Sequence, residues 1–540
     1  MMYKTLLLLI LSLLAAFPAI AQTPPDAGRT LQELREPPQL RPPDQGLVIT
    51  PQATAAAAPG GPKVELRQIT FHGHSCFNDE QLAAVISDSL GDQYDLAGLR
   101  NIAGQITRYY QSNGYPFARA FLPAQSMNDG TLQIDIVEGR YGQFIVQGDE
   151  DVITPVKAWL QPLQTGEVIS SDQLERVTLL LSDQPGISTA PLIRPGQELG
   201  TGDLQVNIEP DARFDGEVGA DNYGSRTTGE YRGRFDLNIN RPFSFGDQLQ
   251  LRSIISNENL LTGSLQYNRP LGAKGMRGQI GYAHTDFEVG KEFSNLDATG
   301  KAQVGSLGLS YPLIRSQKTN LRLAAVYQHK RLEDKIGLTH NTTRRSSNSI
   351  PFSLFFDHRD GLAGSGISYG SISWTVGRVT FKENVNNSPE GSFQKINLDI
   401  ARIQQLTSKS SLFARVVAQK SNSNLDSSED FGVGGIYGVR AYSSGEGYGD
   451  QGILAQLELR YRIRTLTPYL FYDLGHVRID KSNAHPANHR RIEGAGLGLR
   501  GEYKNLYTHV AVAWRTKGGA SLTDSKDRNP RLWATLGYRF

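Results

Sequence analysis

The sequence is short of several things at once, and each shortage excludes something. It has one cysteine, Cys76, in 540 residues, so no internal disulfide is possible. Its formal net charge is only +2, without the basic excess that binding nucleic acid would require. Beyond Ala21 no run approaches the roughly 18 consecutive apolar residues of a membrane-crossing helix. No P-loop is present. Gly496, Gly498 and Gly501 spell Gly-x-Gly-x-x-Gly, but inside an alternating segment that opens no helix, so they read as small packing positions. Gly366-Ile367-Ser368-Tyr369-Gly370 matches the hydrolase elbow, yet it begins an alternating strand with no strand-to-helix turn. His72 and His74 flank Gly73 and offer two metal ligands without a third. No acid, base and nucleophile set remains, so neither enzyme chemistry nor a cofactor or metal is expected.

What is present begins with MMYKTLLLLILSLLAAFPAIAQ. Lys4, a short apolar run from Leu6 to Phe17, and Ala19-Ile20-Ala21 have the layout of a secretory signal peptide over 1–21. In QTPPDAGRTLQELREPPQL, Asp26 can cap a short helix from Ala27 to Glu36 with Leu31 and Leu34 on one side. Pro37 and Pro38 stop it. The Pro-, Ala- and Gly-rich stretch 37–63 is a linker. A short helix on a long tether is either a disordered tail or a segment that docks and leaves.

Residues 64–139 read as β-α-α-β-β. VELRQITF is a strand, and DEQLAAVISDSL a helix with Leu82, Val85, Ile86 and Leu90 on one face. A second helix spans Asp95 to Ser112, followed by strands in YPFARAFLP and TLQIDIVEG. Residues 140–209 repeat that order, with helices at Thr154–Gln161 and Ser171–Leu181, the second opened by Ser171. Two small α+β modules in tandem therefore precede a different region.

From 210 to Phe540 the period changes to two. Segments of roughly ten residues alternate between polar, glycine-rich turns, the pattern of a transmembrane barrel. In RLWATLGYRF, Leu532, Ala534, Leu536, Tyr538 and Phe540 share one face, against Arg531, Thr535 and Arg539. In ILAQLELRYRI the apolar face opposes Gln456, Glu458, Arg460 and Arg462. Sixteen such segments are found, including 299–311, 319–331, 347–358 and 367–376. An even count keeps both ends of an outer-membrane barrel in the periplasm. The terminal aromatic Phe540 fits that reading better than a soluble sandwich, which also alternates. Odd strands then run outward, so 421–451, the long segment after strand 11, begins outside. On strand 13, Leu470, Tyr472 and Leu474 face lipid, and Asp473 points into the lumen.

These stretches together resemble the transporters of two-partner secretion, the TpsB family (ShlB/FhaC/HecB-type haemolysin secretion/activation proteins). The resemblance rests on PDAGRTLQEL, on the modules ending IVEG and NIEP, and on ADNYGSRTTGEYRG at the first hairpin. It continues through LSYPLIRSQKTNLRLAAVYQHKRLEDKI, FQKINLDIARIQQL, FGVGGIYGVRAYSSGEGYGDQG and PYLFYDLG. It implies a sixteen-stranded outer-membrane barrel, two periplasmic POTRA domains and an N-terminal helix plugging the pore at rest. The implied partner is one secreted exoprotein (TpsA-type, β-helical), in an outer-membrane lipid setting, with the barrel-assembly machinery inserting the barrel itself. It also implies that loop 421–451 folds inward, so that the arginine of a VRG[YF] motif meets the aspartate of FxDxG. Here those motifs are Val439-Arg440-Ala441-Tyr442, after Gly438, and Phe471-Tyr472-Asp473-Leu474-Gly475. Ala441 stands where glycine is commoner, which argues against a left-handed turn at that residue. A barrel-assembly factor, a substrate-specific porin and a surface receptor are the rival readings.

Overall fold

The architecture follows from where each segment finds backbone partners. A computed structural model describes residues 24–37, 59–127, 129–383, 389–483 and 488–540. The expected signal peptide and most of the linker lie outside the described residues.

Helix α1, Ala27–Glu33, starts where Asp26 accepts from the amides of Gly28 (2.8 Å) and Arg29 (3.0 Å). It ends short of Glu36, because Pro37 disfavours helical backbone at the residue before it. In the first module the expected strand 64–71 is two strands, β1 (Val64–Glu65) and β2 (Gln68–His72). The chain changes partner between them: Leu66 donates to the Asp92 carbonyl and Arg67 to that of Gly130. Helix α2 (Asp79–Val85) and strand β3 (Gln93–Tyr94) follow, and β3 pairs with β1. Helix α3 (Leu96–Ser112), capped by Asp95, leads to β4 (Arg119–Phe121) and β5 (Thr131–Val137). The sheet runs β2-β5-β4, with β2 parallel to β5. Its core holds Leu82, Ile86, Ile102, Ile106, Tyr110 and Ile134, whereas Leu90 is exposed beyond the end of α2.

The second module has the same plan: β6 (Arg140–Gln147), α4 (Glu150–Leu160), α5 (Ser171–Ser182), β7 (Ile187–Pro195) and β8 (Thr201–Pro210), in the order β6-β8-β7. Helix α4 starts a turn earlier than Thr154, because the Asp149 carbonyl already accepts from Val152 and Ile153. The cap of α5 is Ser170 and not Ser171; its hydroxyl accepts from the Gln173 amide. Glu138 lies at the junction of the modules with its side chain fully buried. It accepts from the amides of Ser75 (2.6 Å) and Cys76 (2.7 Å), from the hydroxyls of Ser75 and Tyr110, and from Arg140 (3.0 Å). Burial alone would raise its pKa, but these donors hold the carboxyl below its ordinary range.

Sixteen antiparallel strands close the barrel. They are β9 (Phe214–Asp221), β10 (Arg232–Asn240), β11 (Gln248–Ser256), β12 (Leu261–Pro270), β13 (Arg277–Glu288), β14 (Ala298–Arg315), β15 (Thr319–Ile336) and β16 (Asn341–Asp360). Then come β17 (Gly366–Phe381), β18 (Gly391–Gln405) and β19 (Ser410–Ser421). The short pair β20 (Phe431–Gly432) and β21 (Tyr448–Gly449) forms a separate ribbon. β22 (Gln451–Tyr461), β23 (Leu466–Arg478), β24 (His489–Tyr503), β25 (Leu506–Lys517) and β26 (Arg531–Arg539) complete the wall. β26 pairs with β9 from Thr535↔Asp221 to Arg539↔Glu217. Closure leaves no open edge for lipid to meet.

The outward residues Leu532, Leu536, Tyr538 and Phe540 are exposed, as are Ile453, Leu457 and Leu459. The residues between them face the lumen. Strands β14 to β17 run well past the segments expected from alternation. The outer end of β16, 341–346, is polar on both faces; those of β15 and β17 bury Leu332 and Val379 on the lumenal side; and β14 overruns at its inner end, 312–315. The barrel's inner rim is docked to the second module. Arg315 makes a bidentate pair with Asp183 (both 2.8 Å), and the Gln317 amide donates to Glu175 (2.8 Å).

Candidate functional site

The segment between β19 and β22 turns back into the barrel. Its ribbon β20–β21 carries a tip, 433–447, in which Val433, Val439, Ala441 and Tyr442 are buried. Arg440 is 2% exposed and Asp473 0%. The guanidinium grips that carboxylate through Nε–Oδ2 (2.8 Å) and Nη2–Oδ1 (2.6 Å), and the Arg440 amide adds a bond of 3.1 Å. Two parallel N–H···O bonds to a carboxylate fix orientation as well as distance. Nη1 of Arg440 reaches Glu458 (2.5 Å), which also holds Arg460 (2.7 Å) and Arg500 (2.9 Å). The Phe471 ring lies under the guanidinium, 3.7 Å from Cζ to its centroid. Trp533 donates to the Arg440 carbonyl (2.7 Å), and the Tyr442 hydroxyl donates to that of Lys517 (2.7 Å).

Glycines make the close approach possible. A Cβ on Gly496 would lie 2.4 Å from the Phe471 ring, and one on Gly498 would lie 2.2 Å from the Tyr469 ring. Gly-x-Gly on β24 is therefore a bare floor on which two rings of β23 lie flat. A Cβ on Gly475 would press on Val433 and Val439, and one on Gly438 would meet the Val433 carbonyl at 2.4 Å. Ala441 is not among the residues with positive φ. Its methyl faces Gly494, where a second Cβ would come within 2.5 Å. A methyl at position 441 is thus matched by a missing one at 494.

Helix α1 fills the outer part of the same lumen. The Ala27 amide donates to Asp334 (2.8 Å). Asp26 accepts from the Ser427 hydroxyl (2.7 Å) and from Arg345 (3.3 Å). Arg345 also pairs with Asp334 on β15 (2.5 Å) and with Asp426 of the inward segment (2.6 Å). Helix, loop and wall therefore share one guanidinium. Gly28 lets the helix touch the loop: a Cβ there would meet the Ser428 amide nitrogen at 2.4 Å. Leu31 and Leu34 are half-buried against Leu260, Phe287, Ala298 and Leu332 of the inner wall. Beyond α1, Glu36 and Pro37 join Arg234, Tyr437, Arg440 and Arg500 in lining a cavity of about 380 Å³. At the chain end the Phe540 amide donates to the Gly216 carbonyl (3.0 Å), and the ring lies outside the barrel.

Glu458, Arg500, Trp533 and Arg345 were not singled out from sequence. Glu458 had a signal, a carboxylate on the lumenal face of an alternating strand beside strand 13. Trp533 and Arg345 had none, because their partners lie 93 residues and, for the Asp26 contact, 319 residues away.

The family model of haemolysin secretion/activation proteins ShlB/FhaC/HecB matches residues 200–501, more than half of the chain. The ShlB-type POTRA domain model matches residues 64–139. Among curated relatives, the heme/hemopexin transporter protein HuxB of Haemophilus influenzae (strain 86-028NP) is 26% identical over 518 residues, 91% of each chain. Among solved structures, CdiB from Escherichia coli superposes with a TM-score of 0.74 at 18% identity, covering 92% of this chain and 94% of that one. BamA from Haemophilus ducreyi lacking POTRA domains 1–3 gives 0.53 at 15% identity, covering 88% and 100%. At such identities the structural likenesses speak to the fold alone.

Proposed function

The chain belongs to the haemolysin secretion/activation family ShlB/FhaC/HecB, and from that premise we propose how its lumen carries out export. It is an outer-membrane protein-secretion transporter with its POTRA region in the periplasm. One dedicated exoprotein, of adhesin, haemagglutinin or haemolysin type, enters unfolded. It first adds a strand to an edge of a POTRA sheet, where main-chain bonds give affinity and side-chain pockets give selectivity. Helix α1 then leaves, and the exoprotein threads past the Arg440 tip. Stacking of its β-helix outside makes the passage directional without ATP. The alternating last strand ending in Phe540 is what the barrel-assembly machinery would read during insertion into outer-membrane lipid. The Haemophilus relative is named for haem and hemopexin transport, so a haem-acquiring exoprotein is the first cargo to test.

The observation that carries this reading is that two separate segments of the chain, α1 and the Arg440 tip, occupy one lumen and touch different walls. Removal of residues 24–37 is expected to raise single-channel conductance in planar bilayers severalfold. Unchanged conductance would remove α1 from the pathway. An exoprotein secreted by the wild-type transporter is expected to lose secretion when its N-terminal domain is exchanged for an unrelated one; continued export would favour a general porin instead.

A further inference from the structure

The outer wall of the barrel changes from apolar to polar over a few residues on three neighbouring strands, with basic side chains on the two flanking ones. On β15 the outward side chains run Leu323 and Tyr327, both exposed, then His329 and Arg331. On β17 they run Ile372 and Trp374, both exposed, then Val376 and Arg378. On β16, Phe352 stacks on Trp374 with ring centroids 5.7 Å apart. Tyr327, Phe352 and Trp374 have the placement of an outer aromatic girdle, which marks the lipid boundary. Arg331 and Arg378 each stand four residues beyond a girdle aromatic. That is about 13 Å along a strand. At the usual tilt it becomes about 10 Å above the ring, at the depth of lipid headgroups.

A groove of about 400 Å³ opens in this wall, lined by Tyr327, Asn348, Ile350, Val376, Arg378 and Gln394. It lies where the pairing of β15 with β16 lapses at Pro351, between Ala325↔Phe352 and Gln328↔Ser349. The lower residues are aromatic and aliphatic; the upper ones are amides and a guanidinium. Asn348 accepts from Tyr327 (2.8 Å) and lies 2.8 Å from His329 Nδ1, while Arg331 donates to the other ring nitrogen (3.1 Å). His329, Asn348 and Arg378 form one cross-strand row. The nearby Arg344 is occupied by Glu333 (2.7 Å). Among the described residues no acidic side chain pairs with Arg378.

We propose that this groove binds a phosphorylated, acylated glycolipid of the outer leaflet, with an acyl chain along Tyr327, Ile350 and Val376 and its phosphate on Arg378 and Arg331. Guanidinium forks match phosphate geometry, and basic residues at a membrane surface select anionic headgroups.

The test uses the full-length protein, delipidated and placed in phosphatidylcholine nanodiscs with a tenth part of hexa-acylated bis-phosphorylated lipid A. Bound lipid is read by native mass spectrometry, and heat-modifiable migration reports the folded barrel. Wild type is expected to retain lipid A at least fivefold over its dephosphorylated form and over phosphatidylglycerol. Arg331→Glu with Arg378→Glu is expected to abolish that preference, and the milder Arg378→Gln to reduce it. Equal retention of dephosphorylated lipid A or phosphatidylglycerol by wild type, or undiminished preference in folded variants, would overturn the proposal.

Discussion

The Arg440 tip and helix α1 share one lumen, but they would leave very different groups behind on departing. Asp473 is fully buried, and Arg440 supplies its guanidinium and its amide hydrogen. Withdrawing the tip would strand that carboxylate, and an unpaired buried charge is costly. Arg345 behaves otherwise. If Asp26 leaves with α1, Arg345 still holds Asp334 and Asp426. The apolar contact of Leu31 and Leu34 is only half-buried. The two are distinguished by the state their partners would be left in after separation, more than by the number of bonds.

The sharpest break of this contrast is Arg440→Ala. It should cost about 3–5 kcal/mol by orphaning Asp473. The measurement is the urea midpoint of heat-modifiable migration, with secretion lost in parallel. Adding Asp473→Asn should restore much of the stability; if Arg440→Ala alone is as stable as wild type, the contrast collapses. Glu138 calibrates it with a carboxylate held mostly by hydrogen bonds and lying outside the membrane. Glu138→Gln should cost about 2 kcal/mol, seen as faster amide exchange confined to 64–139 of the full chain. Its folded pKa is lowered, so the contribution is full above its ordinary 4.5 and lost as pH falls through the folded value. Once exchange rates are divided by their intrinsic, base-catalysed values, protection in that module should therefore fall only in acid; a loss of protection at alkaline pH would contradict the assignment. Gly28→Val should cost α1 docking about 1–2 kcal/mol by overpacking against Ser428, raising conductance while the urea midpoint stays put. Asp26→Ala removes a helix cap and one of three carboxylates on Arg345. A docking loss of about 1 kcal/mol and a smaller conductance rise are expected.

The barrel was legible because lipid imposes a strict rule on every second residue, and Leu532, Leu536 and Tyr538 obey it. Above the lipid the rule lapses, so the outer ends of β15 to β17 could not be read from alternation. The inward course of the loop left no hydrophobic pattern in GVGGIYGVRAYSSGEGYGDQG. Its few apolar side chains, Val433, Ile436, Val439 and Tyr442, are irregularly spaced and pack on Phe471 and Trp533 of distant strands, with glycines at the closest contacts, and the pairing of Arg440 with Asp473 came from family resemblance. The Gly-x-Gly of β24 was readable as small packing, but the rings that need it belong to another strand. The end of α1 was missed by three residues, since helical spacing continues through Leu34 while Pro37 has already bent the chain.

Because one guanidinium on β16 serves α1, the inward segment and β15, the three are thermodynamically linked. The affinity of the lumen for α1 depends on where Asp426 and Ser427 stand. By reciprocity, the equilibrium position of that segment depends on α1 to the same degree. The helix is then a ligand carried on the same chain as its receptor. A segment that displaced it would change the free energy of the loop without touching Arg440.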